Sequence, residues 1–308
     1  MLTEQSAKPA PTQSPASANC PACPGCGSPV DAQTPRFQLE SVRGPSPFAR
    51  CRHCQAYFMQ GDYEAAAEEQ HTRQMAWGEL DRGTQLNSFK QKMYHAILDG
   101  IERHGLAEAS LLDVGCSFGG FLLAAQQRGF RCSGVDIVSE AVEYVQQCGL
   151  PAQKCASLEE CRLHSPENPV DVLTVLDAHI YWPDQPRELR AAWKLLRPGG
   201  LLVIRALTKA PFISAGRALQ KVAPGFSKKL IRRAITDHRF SMPLNSLLTT
   251  IQNSGFEILE ASPKGAQHSD DSAFGVRAAF ALGTFTWHSL GVALAPGALI
   301  FARKPSET

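Results

Sequence analysis

Residues 111–137, LLDVGCSFGGFLLAAQQRGFRCSGVDI, constrain the fold more than any other stretch, because strand, glycine turn, helix, strand and acid follow one another within one short span. Leu111, Leu112 and Val114 fit a strand buried on both faces, and Gly115, Gly119 and Gly120 let the backbone turn and approach a ligand closely. Phe121, Leu122, Ala124 and Ala125 then open a helix whose first amides have no partners of their own and face the same space. Val135 closes a second strand. Asp136, at its carboxyl end, can accept from both hydroxyls of a ribose through its two oxygens, so the span reads as a nucleoside-binding half-fold.

A dinucleotide fingerprint needs glycine at the first, third and sixth places, which here hold Gly115, Ser117 and Gly120. Asp113, just before the turn, would repel a diphosphate but suits a ligand carrying an ammonium and a sulfonium. With that acid two residues ahead of the glycine turn, the chain resembles the class I S-adenosylmethionine-dependent methyltransferases. The pattern continues downstream. Val172, Leu173, Val175 and Leu176 make a buried strand ending at Asp177, and a helix stops at Pro198-Gly199-Gly200 before a strand of Leu201, Leu202, Val203 and Ile204.

The resemblance implies an α/β fold: a Rossmann-like seven-stranded methyltransferase sheet, parallel except for its final strand, with helices on both faces. For the donor it implies that Asp113, Gly115, Cys116 and Gly119 cradle the methionine part and Asp136 the ribose. Ile137 and Leu158 would flank the adenine, Ser157 would meet its edge, and Asp177 would close the site near the sulfonium. Related enzymes, including the ubiquinone-type O-methyltransferases, commonly read Asp-x-x-Glu-His-x-x-Asp-Pro after this strand. Aligning Asp177 with the first Asp puts Ile180 and Tyr181 where Glu and His are usual. That leaves Tyr181, His179 and Asp184 and, further on, His238 as candidates to orient or deprotonate an acceptor. A packed strand-end histidine at His179 and a capping role for His238 stand as alternatives.

Ahead of this domain, Cys23 and Cys26, then Cys51 and Cys54, form two Cys-x-x-Cys knuckles. Four thiolates at that spacing suit a structural zinc with no open coordination position. Cys20 is the spare, with a Cys20–Cys23 pairing as the alternative. Two short strands at 37–42 and 47–50 fit between the knuckles, as in a zinc ribbon. Arg36, Arg43, Arg50 and Arg52 among Phe37, Phe48, Tyr57 and Phe58 make either a basic, aromatic face for RNA or an ordinary solvated surface.

The 308 residues therefore divide into a disordered tail at 1–19, a zinc ribbon at 20–60, a helical lid or linker at 61–105 and the methyltransferase domain at 106–308. In the linker, Trp77, Phe89, Tyr94 and His95 either line the acceptor site or pack the core. A formal charge of +2 gives no general affinity for nucleic acid, and the first 19 residues lack the charged start and apolar run of a signal peptide. Ten cysteines then belong to a reducing cytoplasm, as thiols or metal ligands.

A basic helical insert at about 211–240 interleaves Arg217, Lys221, Lys228, Lys229, Arg232 and Arg233 with apolar residues around Pro224-Gly225, and such a face can rest on anionic lipid. The apolar segment 278–295 is too short and too glycine-rich to span a bilayer and reads as a buried helix. Zinc ribbons fused ahead of this domain resemble a bacterial group that tailors sugars, polyketides and envelope components. The expectation is an enzyme acting on a small-molecule, sugar or lipid-linked acceptor, cytoplasmic, with a peripheral contact at the inner membrane face and no DNA partner. A zinc-ribbon RNA methyltransferase and a non-catalytic adenosylmethionine-binding protein stay open beside it.

Overall fold

The computed structural model describes residues 21–41, 44–61, 63–80, 88–235, 239–263, 274–290, 294 and 296–306; the tail, Cys20 and His238 lie outside the described residues. The amino-terminal part supplies three strands, β1 (Arg36–Ser41), β2 (Gly44–Arg50) and β3 (Tyr57–Met59), then two helices, α1 (Ala65–Leu80) and α2 (Ser88–Arg103). The central part alternates β4 (Ser110–Val114), α3 (Gly120–Gln127), β5 (Arg131–Asp136), α4 (Ser139–Gln147), β6 (Ala152–Lys154), β7 (Val170–Leu176), α5 (Gln185–Leu195) and β8 (Leu196–Leu207). There follow α6 (Ala210–Ala218), α7 (Pro224–Ala234), β9 (Phe240–Ser241), α8 (Leu244–Asn253), β10 (Glu257–Ser262), α9 (Phe274–Leu290) and β11 (Gly297–Arg303).

Seven strands form one sheet in the order β10-β11-β8-β7-β4-β5-β6. Its pairings are parallel except those of β11, which runs antiparallel to both neighbours. Because side chains alternate along a strand, each central strand feeds both faces. Leu111, Val172, Leu201 and Val203 pack with Ile97 of α2, Phe121 of α3 and Val142 of α4. Leu112, Leu173, Leu202 and Ile204 pack with Leu189 of α5 and Leu247 of α8. Near-continuous apolar strands are what a sheet covered on both sides requires.

A second sheet has the order β1-β2-β3-β9. The expected hairpin at 37–42 and 47–50 is present as β1 and β2, one residue longer at its start and three earlier in its second strand. Its fourth strand, β9, comes from the far side of the sequence, Tyr57 pairing with Ser241 and Phe58 with Phe240. The core below it is continuous with the α5 and α8 face, since Cys23, Cys51, Cys54 and Phe58 pack in one cluster with Phe240, Leu189 and Leu247.

Three expectations need correction. The Pro198-Gly199-Gly200 turn lies inside β8, which begins at Leu196, because the chain after β11 pairs with it: Gly199 N–H donates to the Lys304 carbonyl (2.8 Å) and Lys304 N–H to the Gly200 carbonyl (2.9 Å). Helix α9 is half-covered, not buried. Gly283 and Thr286 face inward and Trp287 donates to the Ala261 carbonyl (3.0 Å), whereas Leu282 and Phe285 stand 56% and 65% exposed. The third concerns the aromatic face on the hairpin. Phe48, Tyr57 and Phe58 are buried, and Phe37 is covered by Arg217, whose guanidinium lies 3.6 Å from the ring centre. Phe37, Phe48 and Tyr57 pack against α6 and α7 and Phe58 packs on the α5 and α8 face, so these rings offer no stacking platform for bases.

Candidate active site and four-cysteine centre

A cleft of about 470 Å³ opens beyond the carboxyl ends of β4, β5 and β7. Its floor is the glycine turn. Gly115 has φ +74°, and a Cβ there would stand 2.6 Å from the Ala178 side chain, so both the backbone and the space require glycine. Gly115 and Cys116 donate their N–H groups to the Val135 carbonyl at 2.8 and 3.1 Å, tying the turn across to β5. Ser117 is also left-handed, at φ +48°.

Asp136 lines the cleft at the end of β5 with both oxygens already fixed: one accepts from Ser117 N–H (2.8 Å), the other from Val138 N–H (2.9 Å). Burial pushes its pKa up, while those amides pull the other way. Each oxygen keeps acceptor capacity for a ligand. Asp113 sits behind the turn, 3% exposed and outside the lining, where it accepts from the Thr174 hydroxyl (2.6 Å); burial pushes it from 3.8 up to about 7. Cys116 and Gly119 likewise lie behind the lining, Cys116 under Gly134 and Gly119 against Val145.

Ile137, Ser157, Leu158, Asp177 and Tyr181 all line the cleft; His179 is 1% exposed and turned away from it. Ser157 and Leu158 are held by a residue that the sequence reasoning missed. Glu188, buried in the first turn of α5, accepts from the Ser157 hydroxyl (2.6 Å) and Leu158 N–H (2.8 Å), and burial raises its pKa. Asp184 positions that helix by capping it, accepting from Arg187 N–H at 3.0 Å, with Pro186 in the first turn. Asp177 adopts φ +64° and pairs through its carboxylate with the buried Arg205, also unforeseen. A lone charge in the apolar run LLVIRAL was the available signal.

The remaining walls come from the linker. Tyr63, Glu68 and Thr72 line the cleft at the start of α1, and Lys90 does so from α2. Of the aromatics considered there, Tyr94 packs edge-on against Phe121 (5.3 Å) in the core and His95 is exposed; the side chains of Trp77 and Phe89 lie outside the described residues.

At the other centre, Cys23, Cys26, Cys51 and Cys54 bring four sulfurs within 4.8 Å of one another. Cys23 to Cys54 is 3.6 Å and Cys26 to Cys51 is 3.7 Å, against the roughly 3.8 Å between thiolates bound tetrahedrally at about 2.3 Å from zinc. Gly25 N–H donates to the Cys23 sulfur (3.4 Å), and Gly27 N–H to the Cys23 carbonyl (2.8 Å), which closes the first knuckle. The donor set is compatible with zinc, which would use all four cysteines and leave no position for a reacting group.

A family model described as methyltransferase domain matches residues 89–261. The chain is 27% identical over 183 residues to a ubiquinone biosynthesis O-methyltransferase of Xanthomonas oryzae pv. oryzae, covering 56% of this chain and 74% of that protein. It is 30% identical over 120 residues to the enzyme of the same name from Chromobacterium violaceum, covering 36% and 50%. Among solved structures, magnesium protoporphyrin IX methyltransferase from Synechocystis PCC 6803, with bound SAH, superposes with a TM-score of 0.52 at 13% identity, covering 78% of this chain and all of that one.

Proposed function

The chain belongs to the methyltransferase-domain family, and from that premise we propose that it moves the methyl group of S-adenosylmethionine onto a small-molecule or lipid-linked acceptor held in the cleft beside Tyr181. The observation that carries the donor half is Asp136, fixed at a strand end with both oxygens oriented and the Gly115 turn beside it. Asp136 would take the ribose hydroxyls, Ile137 and Leu158 the adenine faces and Ser157 its edge. The turn from Gly115 to Gly119, backed by Asp113 and Cys116, would carry the methionine part, with Asp177 beside the sulfonium.

Methyl transfer is an in-line displacement, so the residues have mainly to hold acceptor and donor in line and to take a proton where the acceptor has one. Tyr181 reaches the cleft and can orient an acceptor through its hydroxyl. His179 is directed into packing, which supports the reading of a packed strand-end histidine.

The acceptor side carries a second clue. From Leu189 to Thr236 the sequence holds eleven Lys and Arg and no Asp or Glu, although the whole chain is only +2. On α7, Lys228, Lys229, Arg232 and Arg233 are exposed, with Val222 and Phe226 beside them 77% and 59% exposed. Cations flanking exposed apolar side chains favour an anionic membrane surface, and hence a lipid-linked acceptor. No helix among the described residues is long and apolar enough to cross a membrane. Two experiments test the proposal. Label from methyl-labelled S-adenosylmethionine should appear in a small-molecule or lipid fraction of cell extract; label in RNA or protein alone overturns the acceptor class. Changing Lys228, Lys229, Arg232 and Arg233 to Gln should reduce flotation with anionic liposomes and leave donor affinity intact. Equal flotation by mutant and wild type, or none by either, would leave a water-soluble acceptor.

A further inference from the structure

Two routes of contact lead from the cysteine centre into the cleft. The first starts at Pro24, between Cys23 and Cys26, whose carbonyl accepts from Gln185 N–H (2.7 Å). Gln185 is 1% exposed, and its side-chain amide donates to the His179 carbonyl. His179 belongs to the short 3-10 turn Ala178–Tyr181, three of whose residues, Ala178, Ile180 and Tyr181, line the cleft. Next to Pro24, Gly25 lies so close to Phe240 that a Cβ would meet the ring at 2.8 Å, and its carbonyl accepts from the Thr250 hydroxyl, 225 residues away (3.2 Å).

The second route runs through β9. Met59 N–H donates to the Arg239 carbonyl (2.8 Å), which extends the pairing of β3 with β9 by one residue. The guanidinium of Arg239 reaches Glu68 (3.4 Å, 171 residues away) and lies 5.4 Å from the ring centre of Tyr63. Tyr63 and Glu68 are the cleft residues at the start of α1, and β9 itself packs on the turn Ala178–Tyr181. Each of these wall elements is weak alone. A two-residue strand holds only through its neighbour, and a single 3-10 turn following a left-handed Asp177 needs outside contacts to persist.

We infer that the four-cysteine site sets the acceptor wall of the cleft, with Gln185 and Arg239 as its positioning residues; this rests on reading the cleft as the methyl-transfer site with the donor on the glycine turn. Gly115 of the donor loop touches Ala178 of the 3-10 turn, but the hydrogen bonds of the loop run through neither route. Those bonds, from Gly115 and Cys116 to Val135 and from Ser117 and Val138 to Asp136, are closed within residues 115–138. Occupancy of the metal site therefore governs the acceptor wall of the cleft and spares the glycine turn and Asp136.

Amide hydrogen exchange on the full chain tests this without any acceptor. The protein is compared with zinc bound, stripped by a chelator, and reloaded with zinc. Stripping should accelerate exchange in residues 63–72 and 178–185 by about tenfold or more, reversibly, while 111–137 stays within about twofold. With zinc bound, Arg239→Gln should loosen 63–72 alone and Arg239→Lys should restore it; Gln185→Leu should loosen 178–182 alone. Unchanged exchange of both walls in the stripped protein would overturn the inference, and so would equal loosening of 111–137, which would make the metal a support of the whole fold. Variants indistinguishable from wild type would remove Gln185 and Arg239 from the route. The acceptor class is decided by the labelling experiment, so the two claims fail separately.

Discussion

The glycine turn floors the cleft, the cysteine centre stands behind its opposite wall, and the two are assembled in opposite ways. The turn is made from consecutive residues: β4 leads into it, β5 ties it from the side, and the acid at the end of β5 is fixed by two amides from within the same span. The cysteine centre gathers its ligands from two knuckles, its fourth strand from Phe240–Ser241 and its hydrogen-bond partners from Gln185 and Thr250. A site of the first kind keeps its shape through local geometry. One of the second kind keeps it through packing, and can transmit a disturbance from one end to the other.

The largest expected effect separates the two at once. Cys51→Ser should lose the metal, seen by elemental analysis, together with protease resistance of the amino-terminal part, since structural zinc can contribute on the order of 10 kcal/mol to such folds. Cys20→Ser should keep it. If Cys51→Ser also abolished donor binding, the contrast drawn here would break.

Next comes a test on the turn itself. Asp113 is raised by burial from 3.8 to about 7 in the folded protein, so the folded state holds a proton that the unfolded chain releases. Its contribution is greatest below about pH 4 and is lost as pH rises toward 7. Between pH 5 and 8 the loss is on the order of 3 kcal/mol. Asp113→Asn still accepts from Thr174 and should flatten that part of the stability profile in thermal melts; an unchanged slope would contradict the buried, proton-holding position.

A smaller effect, tenfold or more in affinity, is expected for Asp136→Ala in calorimetry with S-adenosylhomocysteine, roughly the loss of one charge-assisted pair. Zinc content should not move, and NAD should not bind the wild type detectably. Unchanged affinity would sink the assignment of the second strand. The smallest effect sharpens the packing half: Tyr57→Phe removes the hydroxyl contact to Ser214 (2.8 Å) and should lower stability by about 1 kcal/mol, with donor affinity unaffected.

The same contrast explains what could be read in advance. Strands β4, β5, β7 and most of β8, the glycine turn and the acid at the end of β5 follow from residue types in order, because burial on both faces and left-handed backbone leave marks on the local sequence. The cysteine spacing likewise announced a metal site. Arg205 and Glu188 did not announce their roles. Their partners, Asp177 for the first and the Ser157 hydroxyl and Leu158 N–H for the second, become neighbours only once β7 lies beside β8 and α5 crosses the turn after β6. Arg239 and Gln185 were hidden for the same reason, and the hairpin aromatics misled because nothing in 36–58 reveals that α6 and α7 will cover them.

The origin of β9 has a further consequence, for biosynthesis. A nascent chain emerges with the knuckles and β1 to β3 first, and the open edge of β3 must wait for roughly 180 more residues before Phe240 and Ser241 arrive to cover it, a long loop to close. During that interval the metal is the partner that can hold the hairpin together. Ion supply during translation, more than after it, should then decide how much of the protein matures, and a zinc-starved cell would accumulate chains with an uncapped edge available to one another.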